Sequence, residues 1–166
     1  MPLAALAASV VAAHRVHAAR KEQTLHFTVQ PDGAAVPEAA APPDAERCVV
    51  FGDPVRLRAA LENLVTNALK FTPGGGTVTV AVAGLDDRVV FSVDDSGPGV
   101  AEDEAGGVFE PYVRGRARPT DGEESTGLGL SLVREYAEHH GATVHVEASS
   151  LGGARFVLSF VPYDQR

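Results

Sequence analysis

Residues 52–76 read GDPVRLRAALENLVTNALKFTPGGG, and how this stretch folds decides how the rest is read. Asp53 is a natural N-cap, because its carboxylate can accept the free N–H groups of a first helical turn. Pro54 suits the first helical position, where no N–H bond is lost. Leu57, Leu61, Leu64, Val65, Ala68 and Leu69 recur at three- and four-residue spacing as one apolar stripe, and Pro73 with three glycines ends the helix. Asn63, Asn67 and Lys70 lie four and then three positions apart, so they stack on one side of the same helix. Amides in so apolar a neighbourhood are costly unless something satisfies them. Two accounts fit. Either they bond neighbouring backbone, or they face a ligand, with amide oxygens suited to a hard cation such as Mg2+ and Lys70 suited to a phosphate.

Upstream, Leu3, Leu6, Val10, Val11, His14 and Ala18 predict an amphipathic helix over 3–20. TLHFTVQ (24–30) alternates and reads as a strand with Leu25, Phe27 and Val29 on one face. PDGAAVPEAAAPPDAE (31–46) has no periodicity and reads as a flexible connector between strands, and RCVVFGD (47–53) reads as a second short strand. Downstream, TVTVAVAGLDDRVVFSVDD (77–95) predicts two antiparallel strands. Residues 97 to about 126 are rich in Gly, Pro and Glu, contain the aromatic island VFEPYVRGR, and read mostly as loop. A helix over about 127–140 follows STGLGL, and ATVHVEAS and GARFVLSFV close the chain as strands. This order lacks a regular βαβ alternation, so the expected class is α+β, with helices covering one face of a sheet. A loop approaching thirty residues suits a lid or binding loop.

The stretch VDDSGPGV (93–100) is either an ordinary polar turn or a backbone shaped around a ligand. Strand alternation puts Asp95 on the face of Val89, Phe91 and Val93, toward the helices. Asp94 falls on the other face with Arg88 and Ser92, as a solvated strand-end residue. In STGLGL, glycines at a helix start let backbone N–H groups approach an anion. No strand leads straight into it, as a Rossmann fingerprint requires, and no Lys-Ser/Thr pair follows, as a Walker A loop requires.

The 166 residues suit one domain, 1–166, and a net charge of −8 argues against a nucleic-acid partner or a polybasic membrane module. The single cysteine, Cys48, lies among apolar residues and reads as a buried, inert thiol in a reducing, cytoplasmic compartment. The first residues lack the basic start of a signal peptide, and no apolar run of about 18 residues is present to span a membrane. His139-His140 reads as a favourable positive charge at a helix C-terminus.

Taken in order, Asn63-x-x-x-Asn67 with Lys70-Phe71-Thr72-Pro73, Asp95-Ser-Gly97-Pro-Gly99, Phe109-x-x-Tyr112-x-Arg114 and Thr126-Gly127-Leu128-Gly129-Leu130 resemble the N, G1, F and G2 boxes of the ATP-binding catalytic domain of sensor histidine kinases. The resemblance runs from about residue 3 to 161. It implies the two-layer α/β sandwich of gyrase-, Hsp90- and MutL-type (GHKL, Bergerat-fold) ATPases, with a mobile lid over about 100–126. It implies that Asp95 accepts the adenine amino group, with Gly97 and Gly99 lining the base pocket. Asn67, assisted by Asn63, would hold Mg2+. Lys70 would lie along the phosphates, with Phe71 and Tyr112 beside the nucleotide. Thr126, Gly127, Leu128 and Gly129 would wrap the phosphate chain, and Arg114 would reach the terminal phosphate, although Arg116 and Arg118 stand close enough to compete. The implied chemistry is γ-phosphoryl transfer from ATP to a histidine, mostly positioning and charge neutralisation. The related ATPases carry a water-activating Glu where Asn63 stands, and an amide is no useful base, so slow hydrolysis is expected. Glu62 is turned about 100° away and reads as a solvated helix position.

Two departures stand out: Ser125 replaces the usual Gly, and Phe71 the more frequent Tyr. None of His14, His17, His26, His139, His140 and His145 precedes an acidic residue as a phosphoacceptor does. The dimerising phosphoacceptor hairpin and a sensor segment are therefore expected elsewhere, as partners of a monomeric catalytic domain, with a response regulator served indirectly. The parent protein is expected to be a membrane-associated sensor kinase with this portion in the cytoplasm. An anti-sigma-type serine kinase, or a non-catalytic nucleotide-binding module of the same fold, is the alternative.

Overall fold

The computed structural model describes residues 1–31, 48–123 and 126–163. Helix α1 (Leu3–Arg20) precedes strand β1 (Thr24–Pro31). Helix α2 (Pro54–Phe71) leads to β2 (Thr77–Gly84) and β3 (Val89–Asp95), and helix α3 (Gly129–His139) leads to β4 (Thr143–Ala148) and β5 (Ala154–Phe160). These strands form one sheet in the order β1-β2-β3-β5-β4. β1 and β2 are parallel; every other neighbouring pair is antiparallel. A parallel pair cannot be joined by a tight turn, so the chain crosses over through α2, whereas β2–β3 and β4–β5 are hairpins. The result is the expected α+β class, with a mixed, mainly antiparallel sheet.

Period two in β2 buries Val78, Val80 and Val82 and leaves the alternate residues half-buried. Phe91 and Val93 of β3 and Phe156 and Leu158 of β5 continue that buried face. Leu57, Leu61, Leu64 and Leu69 of α2, with Leu3 and Val10 of α1, close over it and lose all contact with water. Each such side chain contributes about 1.5–3 kcal/mol on burial. The start of α2 is as expected: Asp53 Oδ1 accepts the Val55 N–H at 2.8 Å, with Pro54 in the first turn. Its far end is closed by side chains from distant segments. Gln23 Nε2 donates to the Leu69 and Thr72 carbonyls, and Thr120 Oγ1 donates to the Lys70 carbonyl at 2.7 Å.

Four expectations need revision or fall outside what is described. Residues 48–53 are not a sheet strand: Val49 makes one isolated bridge with Pro2, while the Val50 N–H donates to Met1 O and the Tyr163 N–H to Val49 O. Cys48 and Val50 are buried there by tertiary packing, and burial pushes the Cys48 thiol pKa up, in line with an inert thiol. In the connector expected at 31–46, Pro31 ends β1 and 32–46 lie outside the described residues, as does Ser125. Asp94 is not solvated. It is buried because the β4–β5 turn folds over the end of β3, and its Oδ1 accepts from Ser149 Oγ at 2.8 Å. His140 is likewise no surface charge. It is 8% exposed, its Nε2 accepts the Asp53 N–H at 3.0 Å, and its Nδ1 lies 2.5 Å from Tyr136 O. That pairing requires the tautomer with the proton on Nδ1, so the ring ties the end of α3 to the start of α2.

Candidate functional site

A cavity of about 840 Å³ opens between α2, the end of β3, the start of α3 and the long segment 100–123. Its α2 wall consists of Asn63, Thr66, Asn67, Lys70 and Phe71, the single polar row expected from the spacing with Thr66 added. The Asn63 amide bonds neighbouring backbone, as the first account has it: Nδ2 donates to Ala59 O at 2.9 Å, and Oδ1 lies toward Gly129 at the start of α3. Thr66 Oγ1 is bonded back to Glu62 O, so its hydroxyl proton is not offered to the cavity. Glu62 itself pairs with Arg58 at 3.0 Å and lies on the solvated side, as expected.

Asp95 forms the floor. It is 3% exposed, and its Oδ1 accepts two backbone N–H groups, from Gly97 at 3.0 Å and Ala154 at 3.1 Å. No described residue donates to Oδ2, and the residue lines the cavity. Desolvation raises the Asp95 pKa above the ordinary carboxylate value; the two N–H groups oppose this, and neighbouring Asp94 reinforces it. The carboxylate fits only because position 153 lacks a side chain. A Cβ on Gly153 would stand 2.1 Å from Asp95 Oδ1 and 2.4 Å from its carbonyl oxygen. Gly99 lines the cavity beside Asp95, whereas Gly97 sits behind it, packed against the Phe71 carbonyl.

Within the aromatic island the two rings part ways. Phe109 is buried and meets Phe156 edge-on at 6.0 Å, which fastens the segment to the core. Tyr112 is exposed, with φ +63°, and does not line the cavity; its N–H donates to Gly127 O at 2.9 Å. Gly127 has φ +73°, and a Cβ there would press on the Tyr112 backbone at 3.0 Å, so glycine is required twice over. The three arginines also separate. Arg116 pairs with Asp103 at 2.6 Å, and its backbone N–H donates to Glu104 Oε1. Arg114 and Arg118 both line the cavity, and neither has an ion pair among the described residues. Thr126, Gly127, Leu128 and Gly129 complete the wall where α3 begins, with the free N–H groups and positive dipole end of a helix.

Residues 52–165 match the family described as "Histidine kinase-, DNA gyrase B-, and HSP90-like ATPase". The chain belongs to this family. Among its relatives is the sensor-type histidine kinase PrrB of Mycobacterium leprae, 43% identical over 113 residues, which cover 67% of this chain and 24% of PrrB. The chain thus spans about a quarter of the length of such curated relatives. The catalytic domain of the histidine kinase ThkA superposes with a TM-score of 0.76 over 98% of this chain and 95% of that one; at 23% identity it bears on the fold alone. Full-length ShkA in complex with AMPPNP matches with a TM-score of 0.74 and 30% identity, over 98% of this chain and 30% of ShkA. The histidine-kinase-type ATPase domain is therefore the frame in which the cavity is read. Among the described residues, no helix is long and apolar enough to cross a membrane.

In this kinase-type domain the structure brings together Asn63, Asn67, Lys70, Phe71, Asp95, Gly99, Arg114, Thr126, Gly127, Leu128 and Gly129, and leaves Gly97 and Tyr112 off the cavity wall. Reading the sequence missed Gly153, Glu104 and Glu123. Gly153 left one local trace, the pair of glycines in LGGARF, but its partner Asp95 is distant in the chain. The two glutamates carry no local signal, because their place on the wall depends on how the long segment folds back.

Proposed function

We propose that the domain binds ATP with Mg2+ in this cavity and donates the γ-phosphoryl group to a histidine on a separate helical-hairpin domain of a two-component sensor kinase. The observation that carries the reading is Asp95: a buried carboxylate with one oxygen saturated by backbone and the other left for a donor such as the adenine amino group. With the base there, the phosphates lie toward Asn63, Asn67 and Lys70 on one side and the start of α3 on the other. Arg114 and Arg118 supply charge to the terminal phosphate, and the pairing of Arg116 with Asp103 takes it out of that role. Asn67, assisted by Asn63, would hold the cation through an amide oxygen, since both line the cavity. When bound, Mg2+ neutralises developing charge on the phosphates. The domain's own side chains align ATP and keep the amide of Asn63, rather than a carboxylate base, at the position where the related ATPases activate water. The hairpin then passes the phosphoryl group to a response regulator on the cytoplasmic side of the membrane.

The test is transfer in trans. Labelled ATP, the domain and a separately produced phosphoacceptor hairpin should yield an acid-labile, base-stable phosphate on the hairpin, and the domain alone should stay unlabelled. An acid-stable phosphate on a partner's serine would instead support the anti-sigma-type reading.

A further inference from the structure

Glu123 is out of place on the wall of a cavity read as a phosphate site. Its carboxylate repels the ligand that Lys70, Arg114 and Arg118 attract, unless something cancels it. What cancels it comes from the far end of the chain. Lys21, just beyond α1, has a side chain only 7% exposed, and among the described residues its ammonium donates to Glu123 Oε1 at 3.0 Å, Thr120 Oγ1 at 2.8 Å and the Leu69 carbonyl at 2.6 Å. His17 Nε2 lies a further 3.8 Å from the same Glu123 oxygen. Thr120 in turn donates to the Lys70 carbonyl, and Lys70 is itself on the cavity wall. One ammonium therefore joins three elements: the end of α1, the last turn of α2, and the 3-10 turn Thr120–Gly122, where the lid returns.

We propose that Lys21 is a positioning residue for the nucleotide site: it pins the C-terminal end of the lid to the end of α2 and neutralises Glu123, so that this carboxylate can line a cavity for a polyanion. The ammonium donates to acceptors fixed by different segments, Leu69, Thr120 and Glu123, and carries the charge that faces Glu123, a combination that no neutral side chain of similar length reproduces. The charge-cancelling half rests on the ATP reading; the pinning half does not.

Two measurements on the intact chain separate them. Hydrogen exchange without nucleotide reads the pin: Lys21→Met should speed exchange at residues 119–123 by about tenfold, with α2 and β3 still protected. Calorimetry with Mg-ATP reads the charge: Lys21→Met should weaken binding about tenfold, the effect of one uncompensated nearby charge. Glu123→Gln should tighten binding by roughly twofold, and the double variant Lys21→Met/Glu123→Gln should recover most of the lost affinity. A double variant as weak as Lys21→Met, or unchanged exchange at 119–123, overturns the proposal. Absence of ATP binding by the wild type would sink the nucleotide reading, and the charge half with it, while the exchange result still decides the pin.

Discussion

Asp95 is the residue on which the proposed nucleotide reading turns, and its environment separates binding from stability. A buried carboxylate with a raised pKa holds its proton longer in the folded state than in the unfolded one. The folded state then binds more protons over that window, so stability falls as pH rises through the folded pKa and is recovered in full below the unfolded value. Asp95→Asn removes this titration but keeps an oxygen for the Gly97 and Ala154 N–H groups, and turns an NH2 toward the cavity where an acceptor is needed. The expected outcome is an ATP affinity lower by about 10- to 100-fold in calorimetry, the worth of one charged hydrogen bond. In thermal melts the free variant should match or exceed the wild type near neutral pH, and the wild type should gain on it as pH falls through the Asp95 pKa. A variant that binds ATP as tightly as wild type would remove Asp95 from the base site. Gly153 is the second residue-scale case. Gly153→Ala should cost about 1–3 kcal/mol in denaturant unfolding, because the new Cβ collides with Asp95 and neither backbone can retreat. Gly106→Ala, whose Cβ would meet nothing within 4 Å, serves as the comparison and should stay within about 0.5 kcal/mol.

At the scale of elements, α2 and the long segment 100–123, proposed as the lid, contrast. α2 is specified locally at its start by Asp53 and Pro54, along its length by the apolar stripe, and on its opposite side by the polar row. The lid has almost no such specification. Val108 and Phe109 are its buried anchors, the Tyr112–Gly127 backbone bond and the Arg116–Asp103 pair fold it back, and residues 111–116 are exposed. A segment with few buried contacts opens locally at little cost, and Arg114 and Arg118, which line the cavity without an ion pair among the described residues, give a polyanion a reason to close it. Amide exchange across 101–123 should slow by about tenfold when an ATP analogue is added, with the core strands unaffected. Exchange indifferent to nucleotide would mean that the lid takes no part in binding.

For the whole molecule, much was legible from the sequence because it is short-range. Helix α2, the hairpin strands, the start of α3 and the inward face of Asp95 follow from spacing, caps and alternation, each of which spans only a few residues. The order of the four motifs was enough to name the family resemblance that residues 52–165 bear out. What local pattern could not reach depends on closure of the sheet. Residues 48–53 looked like a strand because they are apolar, yet Met1 and Tyr163 take their backbone bonds instead. Asp94 looked solvated until Ser149 arrived from 55 positions away, and His140 looked like a helix-end charge until the Asp53 N–H, 87 positions away, claimed its Nε2. The same holds for the site: Gly153 makes room for Asp95, and Lys21 cancels Glu123, across contacts that no sequence period encodes. The sequence by itself determined the elements, the face each presents and the kind of ligand they suit, since those are properties of neighbouring residues. Only the tertiary structure decided which buried charges have partners and which oxygen of Asp95 stays open to the cavity, because partners are chosen when distant segments pack and water is excluded.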